Sequence, residues 1–115
     1  MSNDLDVIVC HVNRPPSGRT LIYCGRRWAG HAASPLGNPF HKLDESGREA
    51  SIAKFREWLW VKVKAEDHVV LDELARILGL AKEGPIALGC WCAPKACHCD
   101  IIKRALSWLA KKECV

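Results

Sequence analysis

The apolar run Pro85-Ile86-Ala87-Leu88-Gly89-Cys90 leads straight into Trp91-Cys92-Ala93-Pro94-Lys95-Ala96-Cys97-His98-Cys99-Asp100, and from there into a helical pattern. No other stretch constrains the fold as much. The run is too short for a buried helix but long enough for a buried strand, which needs only about four to eight residues. Pro94 breaks the strand, and the next periodic segment is helical, so the chain must contain a strand-turn-helix unit. Four of the seven cysteines and one of the five histidines fall between Gly89 and Asp100. A small domain rarely gathers so many sulfurs at one turn without a chemical use for them.

A chain of 115 residues can bury a hydrophobic core without help from disulfides or metal, and a single domain over 1–115 is expected. Hydrophobic residues make up 49% and charged ones 26%, the proportions of a globular protein rather than a disordered tail. The formal charge of +4 is too small for a dedicated nucleic-acid binder. Its distribution says more. Between Asp6 and Asp44 there is no acid, while Arg14, Arg19, Arg26, Arg27 and Lys42 fall inside. The acidic N-terminus lacks the apolar core of a signal peptide, and no run reaches the roughly 20 apolar residues of a membrane span. An odd number of clustered cysteines then reads as reduced thiols in the cytoplasm.

In chain order, Val7–Val12 is apolar and β-branched and predicts a buried strand. Pro15-Pro16-Ser17-Gly18 predicts a loop, and Thr20–Cys24 a second strand. So short a connection makes these two strands antiparallel neighbours. From Trp28 to Leu43 no period is visible; Trp28, Leu36 and Phe40 give this long loop apolar anchors and predict that it is ordered. Ser46-Gly47-Arg48-Glu49 matches a capping box opening a helix with Ile52, Phe55, Leu59 and Val63 on one stripe. A second helix is predicted from Asp67 to Leu78, stopped by Gly79. After the strand Pro85–Cys90, a last helix runs from near Cys97 to about Lys111, with Ile101, Ile102, Ala105, Leu106 and Leu109 inward. The order predicts a compact α/β layer fold, a small sheet with flanking helices.

The turn sits where a strand ends and a helix begins. Backbone N–H groups and the positive end of the helix dipole there favour an anion such as phosphate, and ligands of open α/β sheets bind in that crevice. The same field favours a thiolate, so Cys97 is the candidate reactive thiol, with His98 as acid, base or hydrogen-bond donor. Cys90 and Cys92, two apart on a strand, share a face. Cys90, Cys92, Cys97 and His98 could together ligate zinc, but their spacing lacks the C-x2-C knuckles of common zinc sites. Redox use of a C-x-C pair is weaker still, since the usual motif is C-x-x-C. Cys10, Cys24, Cys99 and Cys114 read as ordinary small hydrophobes. Trp60 and Trp108 lie off the inward stripes and read as partly buried or as subunit contacts, ahead of nucleic-acid stacking. His11, His31, His41 and His68 have no spacing that distinguishes them.

Tyr23-Cys24-Gly25-Arg26, Ser34-Pro35-Leu36-Gly37-Asn38-Pro39-Phe40, Arg48-Glu49 with Phe55-Arg56-Glu57-Trp58-Leu59, and Leu88-Gly89-Cys90-Trp91-Cys92-Ala93-Pro94 with Cys97-His98 and Asp100 resemble a family of bacterial and phage proteins, domain of unknown function 4326. The likeness covers nearly the whole chain. It departs at Cys99, where glycine is common, and at Cys24, where a bulky aliphatic is usual. The resemblance implies a Rossmann-like fold and a shared site, and adds Arg26, Asn38, Arg48 and Asp100 to the candidates. Arg48 in the first turn of a helix opposes the dipole, which favours a ligand role over a structural one.

These observations lead to one expectation. A nucleotide, a nucleic-acid end or another phosphate-bearing ligand binds at the turn, with Arg26, Asn38, Arg48, Cys90, Cys92 and Asp100 around it and Cys97 and His98 at the reacting group. The activity would then be nucleotide- or nucleoside-processing, with no cofactor. The alternative is a non-catalytic zinc-binding interaction module.

Overall fold

A computed structural model describes residues 5–25, 34–37, 47–90 and 98–113, with the side chains of Arg48 and Glu113 outside that set. Three strands and three helices appear among them: β1 Val7–His11, β2 Thr20–Tyr23, α1 Arg48–Lys64, α2 His68–Glu83, β3 Ile86–Cys90 and α3 His98–Glu113. The strands form a parallel sheet in the order β1-β3-β2. The fold is α/β.

The sequence run that ends at Cys90 supplies the central strand. Its composition explains why: Ile86, Ala87, Leu88, Gly89 and Cys90 are all buried, as a parallel strand covered on both faces requires. β1 and β2 flank it and keep half-exposed positions. In register, Val7 and Thr20 lie opposite Ile86, and Val9 and Ile22 opposite Leu88. The face carrying Val7, Ile22, Ile86, Leu88 and Cys90 packs into one core with Phe55, Leu59, Leu74, Ile77, Ile102 and Leu106 of the helices. Cys10 and Ala87 are buried on the opposite face, outside that core.

The expected antiparallel pairing of the first two strands is wrong. β3 inserts between them, and both pair with it in parallel. Residues 12–19, between β1 and β2, are enough for this path. Eight residues reach ~26 Å when extended. Returning along a short strand (~16 Å) and stepping over two strand spacings (~10 Å) needs only ~19 Å. Arg19 then fastens the return: its guanidinium donates to the Ile86 carbonyl at 3.1 Å and the Asp6 carbonyl at 3.2 Å, and pairs with the Asp6 carboxylate at 2.6 Å. These groups lie at the amino ends of β1 and β3. Arg19 is therefore a structural member of the acid-free segment, away from the strand-end turn.

Two helix boundaries also differ. Gly47, not Ser46, occupies the N-cap of α1 and makes no side-chain cap, so the capping box is displaced; Ser46 lies outside the described residues. Glu49 still favours the helix start through its charge. Gly79 does not stop α2, which continues to Glu83, capped by Gly84. An interior glycine costs about 0.5–1 kcal/mol relative to alanine, and the extra turn buries Ala81 and packs Leu80 against the core. The inward stripes of all three helices are as the periodicity predicts.

Candidate functional site at the carboxyl end of the sheet

The carboxyl end of β2 begins the site. Past Tyr23, the Cys24 N–H donates to the Gly89 carbonyl at 3.1 Å, extending the β2–β3 pairing by one residue. The Cys24 carbonyl in turn accepts from His98 Nε2 at 2.5 Å. A carbonyl only accepts, so this ring nitrogen carries the hydrogen. His98 opens α3 and is buried, with its ring edge-on to Phe55 of α1 at 5.1 Å. One side chain thus joins β2, α3 and α1 at the end of the central strand.

Gly25 follows. Its carbonyl accepts from the Ser34 N–H at 2.9 Å, and Ser34 to Gly37 form a turn closed by Gly37 N–H to Ser34 C=O at 2.9 Å. The Ser34 hydroxyl accepts from the Leu36 N–H at 3.0 Å, and Leu36 is fully buried, as an anchor of the loop should be. Both glycines sit at close approaches. A Cβ on Gly25 would lie 2.5 Å from the Tyr23 hydroxyl, and one on Gly37 3.1 Å from the Gly25 carbonyl oxygen. Motif segments distant in sequence therefore meet beside the carboxyl ends of β2 and β3.

α1 and α3 run in the same sense: Phe55, near the middle of α1, meets His98 at the start of α3, and Trp60 meets Trp108 further along both helices. Their two amino termini consequently open toward the same end of the molecule. Asp100, half-buried in the first turn of α3, lines the groove between them with Arg56 and Arg104. The indoles of Trp60 and Trp108 pack edge-to-face at 5.4 Å, with the Lys112 ammonium 5.1 Å from the Trp108 ring. Trp60 is half-buried and Trp108 is exposed, at 38%.

All the described cysteines, Cys10, Cys24, Cys90 and Cys99, are reduced thiols and buried. They surround the end of β3: Cys10 is in register with Gly89, Cys24 hydrogen-bonds to it, and Cys99 Sγ is 4.0 Å from its carbonyl oxygen. Burial pushes the Cys10 thiol above its ordinary pKa, and charge on Cys90 or Cys24 pushes it further. Cys90 is 2% exposed and belongs to the core. Among the described residues no three of His, Cys, Asp and Glu are grouped to hold a metal ion.

Of the sequence-derived site residues, Cys90 ends β3 with its side chain in the core, and His98 and Asp100 lie in the first turn of α3. Arg26, Asn38, Cys92 and Cys97 lie outside the described residues, as does the side chain of Arg48, whose backbone opens α1. The sequence reading passed over two groups. His11 ends β1 in register with Cys90. Arg76 of α2 pairs with Glu73 at 2.6 Å, and that hydrogen bond raises its pKa. Neither has a local motif; their positions depend on strand order and helix packing.

The motifs that meet here are spread over most of the chain, and the model of domain of unknown function 4326 (DUF4326) matches residues 10–108. The chain belongs to this family. The matched span in DUF4326 runs from Cys10 in β1 to Trp108 in α3, and so includes the whole strand-end site. No curated protein and no solved structure matches the chain. Among the described residues no helix is long and apolar enough to cross a membrane.

Proposed function

We propose that this DUF4326 protein binds a phosphate-bearing ligand, a nucleotide or a nucleic-acid end, at the carboxyl end of its sheet. One observation carries the reading: Gly25, the Ser34–Gly37 turn, the end of β3 and the start of α3 converge there, beside two helices that begin in the same sense. A helix amino terminus presents unpaired N–H groups and a positive dipole end, which attract an anion placed at its first turn. In this reading Arg26, Asn38 and Arg48 contact the phosphate, and Cys97 is the thiol nearest the reacting group. His98 acts as a positioning residue, because its Nε2 hydrogen is committed to Cys24.

Thermal melting with inorganic phosphate and a panel of nucleotides tests the reading. A ligand at ~100 times its dissociation constant adds about 2.7 kcal/mol, which raises the melting temperature by several degrees. Arg26→Ala should abolish the rise. If no member of the panel shifts the wild-type transition at millimolar concentration, the phosphate site does not exist. Stoichiometric zinc in the purified protein, with unfolding on chelation, would instead support the zinc-module alternative.

A further inference from the structure

Independently of the phosphate site, we propose that the groove between α1 and α3 binds single-stranded nucleic acid, with a base on Trp108 and phosphates on the cations beside it.

The first observation is shape. The groove, of about 1040 Å³, runs from the first turns of both helices to Trp60 and Trp108. A second hollow of about 780 Å³, walled by α1, α2 and α3, meets it there, and the same two indoles line both. The tryptophan pair is thus the midpoint of one long surface channel.

The second is charge. Glu49 and Asp100 line the amino end of the groove, in the first turns of α1 and α3. Beyond them the walls carry Arg56, Lys103, Arg104 and Lys111 against Glu57. In the second hollow Lys64 and Lys112 balance Glu66 and Asp72. The four groove cations are exposed, and the ion pairs among the described residues, at Arg19, Lys62 and Arg76, do not use them. On α3, Arg104 lies four residues before Trp108 and Lys111 three after it, so the three share a helix face. Cation, indole and cation stand in a row about 10 Å long. An aromatic platform flanked by cations is how proteins hold single strands, because every base offers a π-face and every linkage a phosphate.

Other occupants fit this row less well. An acidic peptide would satisfy the cations but offers the indoles no comparable ring. A second copy seated about a twofold through the tryptophans would run antiparallel, and Arg104 would face Lys112, like charge on like. Lys112 itself, its ammonium 5.1 Å from the Trp108 ring, shows that the ring attracts a cation. A base that enters displaces this flexible side chain toward the phosphates. With four cations the attachment is modest and is lost readily to salt.

Fluorescence anisotropy of a labelled oligothymidylate, titrated with the full chain at several salt concentrations, tests the proposal. Four phosphate contacts give a slope of log K against log salt of about −3, and Arg104→Gln with Lys111→Gln should halve it. Trp108→Ala should weaken binding about tenfold and leave the slope unchanged, a split that separates stacking from charge. Absence of binding by the wild type, or an unchanged slope in the double variant, overturns the proposal. Tighter binding of a polyglutamate peptide would assign the groove to an acidic protein, and a dimer in sedimentation that the oligonucleotide does not disperse would assign it to a second copy; either result overturns it. If Trp108→Ala fails to fold, the slopes decide alone. Oligonucleotide binding without a melting shift in inorganic phosphate would refute the phosphate site and leave the groove standing.

Discussion

His98 donates the hydrogen on Nε2 to a backbone carbonyl 74 positions away in sequence, and that bond places the start of α3 against the end of β2. The neighbouring thiols follow the same economy of space. Cys24 and Cys99 are fully buried, Cys90 nearly so, and Cys10 is 8% exposed with its pKa pushed upward. A buried thiol is a poor nucleophile, because the reagent cannot reach it. Alkylation at neutral pH should therefore spare these four in the folded protein, and peptide mapping should find label on Cys92, Cys97 or Cys114, with Cys97 ahead of Cys92. Early label on Cys24 or Cys99 would show that the end of β3 opens in solution.

The connection between α1 and α2 shows how little chain a helix junction needs. α1 ends in a Schellman motif: the Glu66 N–H bonds to the Val63 carbonyl at 3.1 Å and the Asp67 N–H to the Lys62 carbonyl at 3.0 Å. Glu66 occupies the left-handed position, φ 56°. That conformation costs a side-chain-bearing residue about 1–2 kcal/mol. Glycine avoids the cost but loses about 0.4–1 kcal/mol of it to greater freedom in the unfolded chain. Glu66→Gly should stabilise the protein by about 0.5–1 kcal/mol in urea unfolding, and a loss of stability would refute the strain. Asp67 then caps α2, its carboxylate accepting from the Val70 N–H at 3.2 Å and pairing with Lys62 at 3.6 Å. The Val70 bond, followed by Lys62, holds its pKa below the usual 3.8. The sign follows: the carboxylate's contribution is complete above its unfolded pKa and is lost as pH falls through the lower folded value. Asp67→Asn keeps an accepting oxygen without the charge. The gap in melting temperature between wild type and this variant should narrow from about pH 5 to about pH 2.5, and a constant gap would show that the charge is idle.

At the scale of the whole molecule, the two ends of the sheet are built differently. The amino end is closed by Arg19, which reaches β1 and β3 from the start of β2. Its ion pair with Asp6 is exposed on the acid's side, 57%, and contributes little by itself. The part-buried bond to the Ile86 carbonyl is the stronger contact, so Arg19→Ala should cost about 1–3 kcal/mol in chemical unfolding. Asp6→Asn should cost well under half as much. Equal losses would place the stabilisation in the ion pair instead. Because the carboxyl end carries the proposed phosphate site, Arg19→Ala should keep the full melting shift with phosphate, whereas Arg26→Ala should not.

By itself the sequence determined the elements and their buried faces. Three apolar runs, three helical stripes and the strand-turn-helix unit at Cys90–His98 are local patterns, set by the alternation of side chains along a strand and their 3.6-residue period along a helix. Strand order was not local. The unbroken burial of Ile86–Cys90 is the mark of a central parallel strand, but the short β1–β2 connection suggested a hairpin, and only packing the helices on one face selected β1-β3-β2. Helix ends were equally dependent on packing: Gly79 stays helical because Leu80 and Ala81 beyond it reach the core. Motif segments around Gly25, Ser34–Gly37, Cys90 and His98 meet at the carboxyl end of the sheet, yet sequence could not assign their contacts. Whether a histidine reaches a distant backbone carbonyl, like His98, or ends a strand in register with Cys90, like His11, depends on which strands lie side by side. Hydrogen bonds act over a few ångströms of space, and only the tertiary fold makes residues 24 and 98 neighbours.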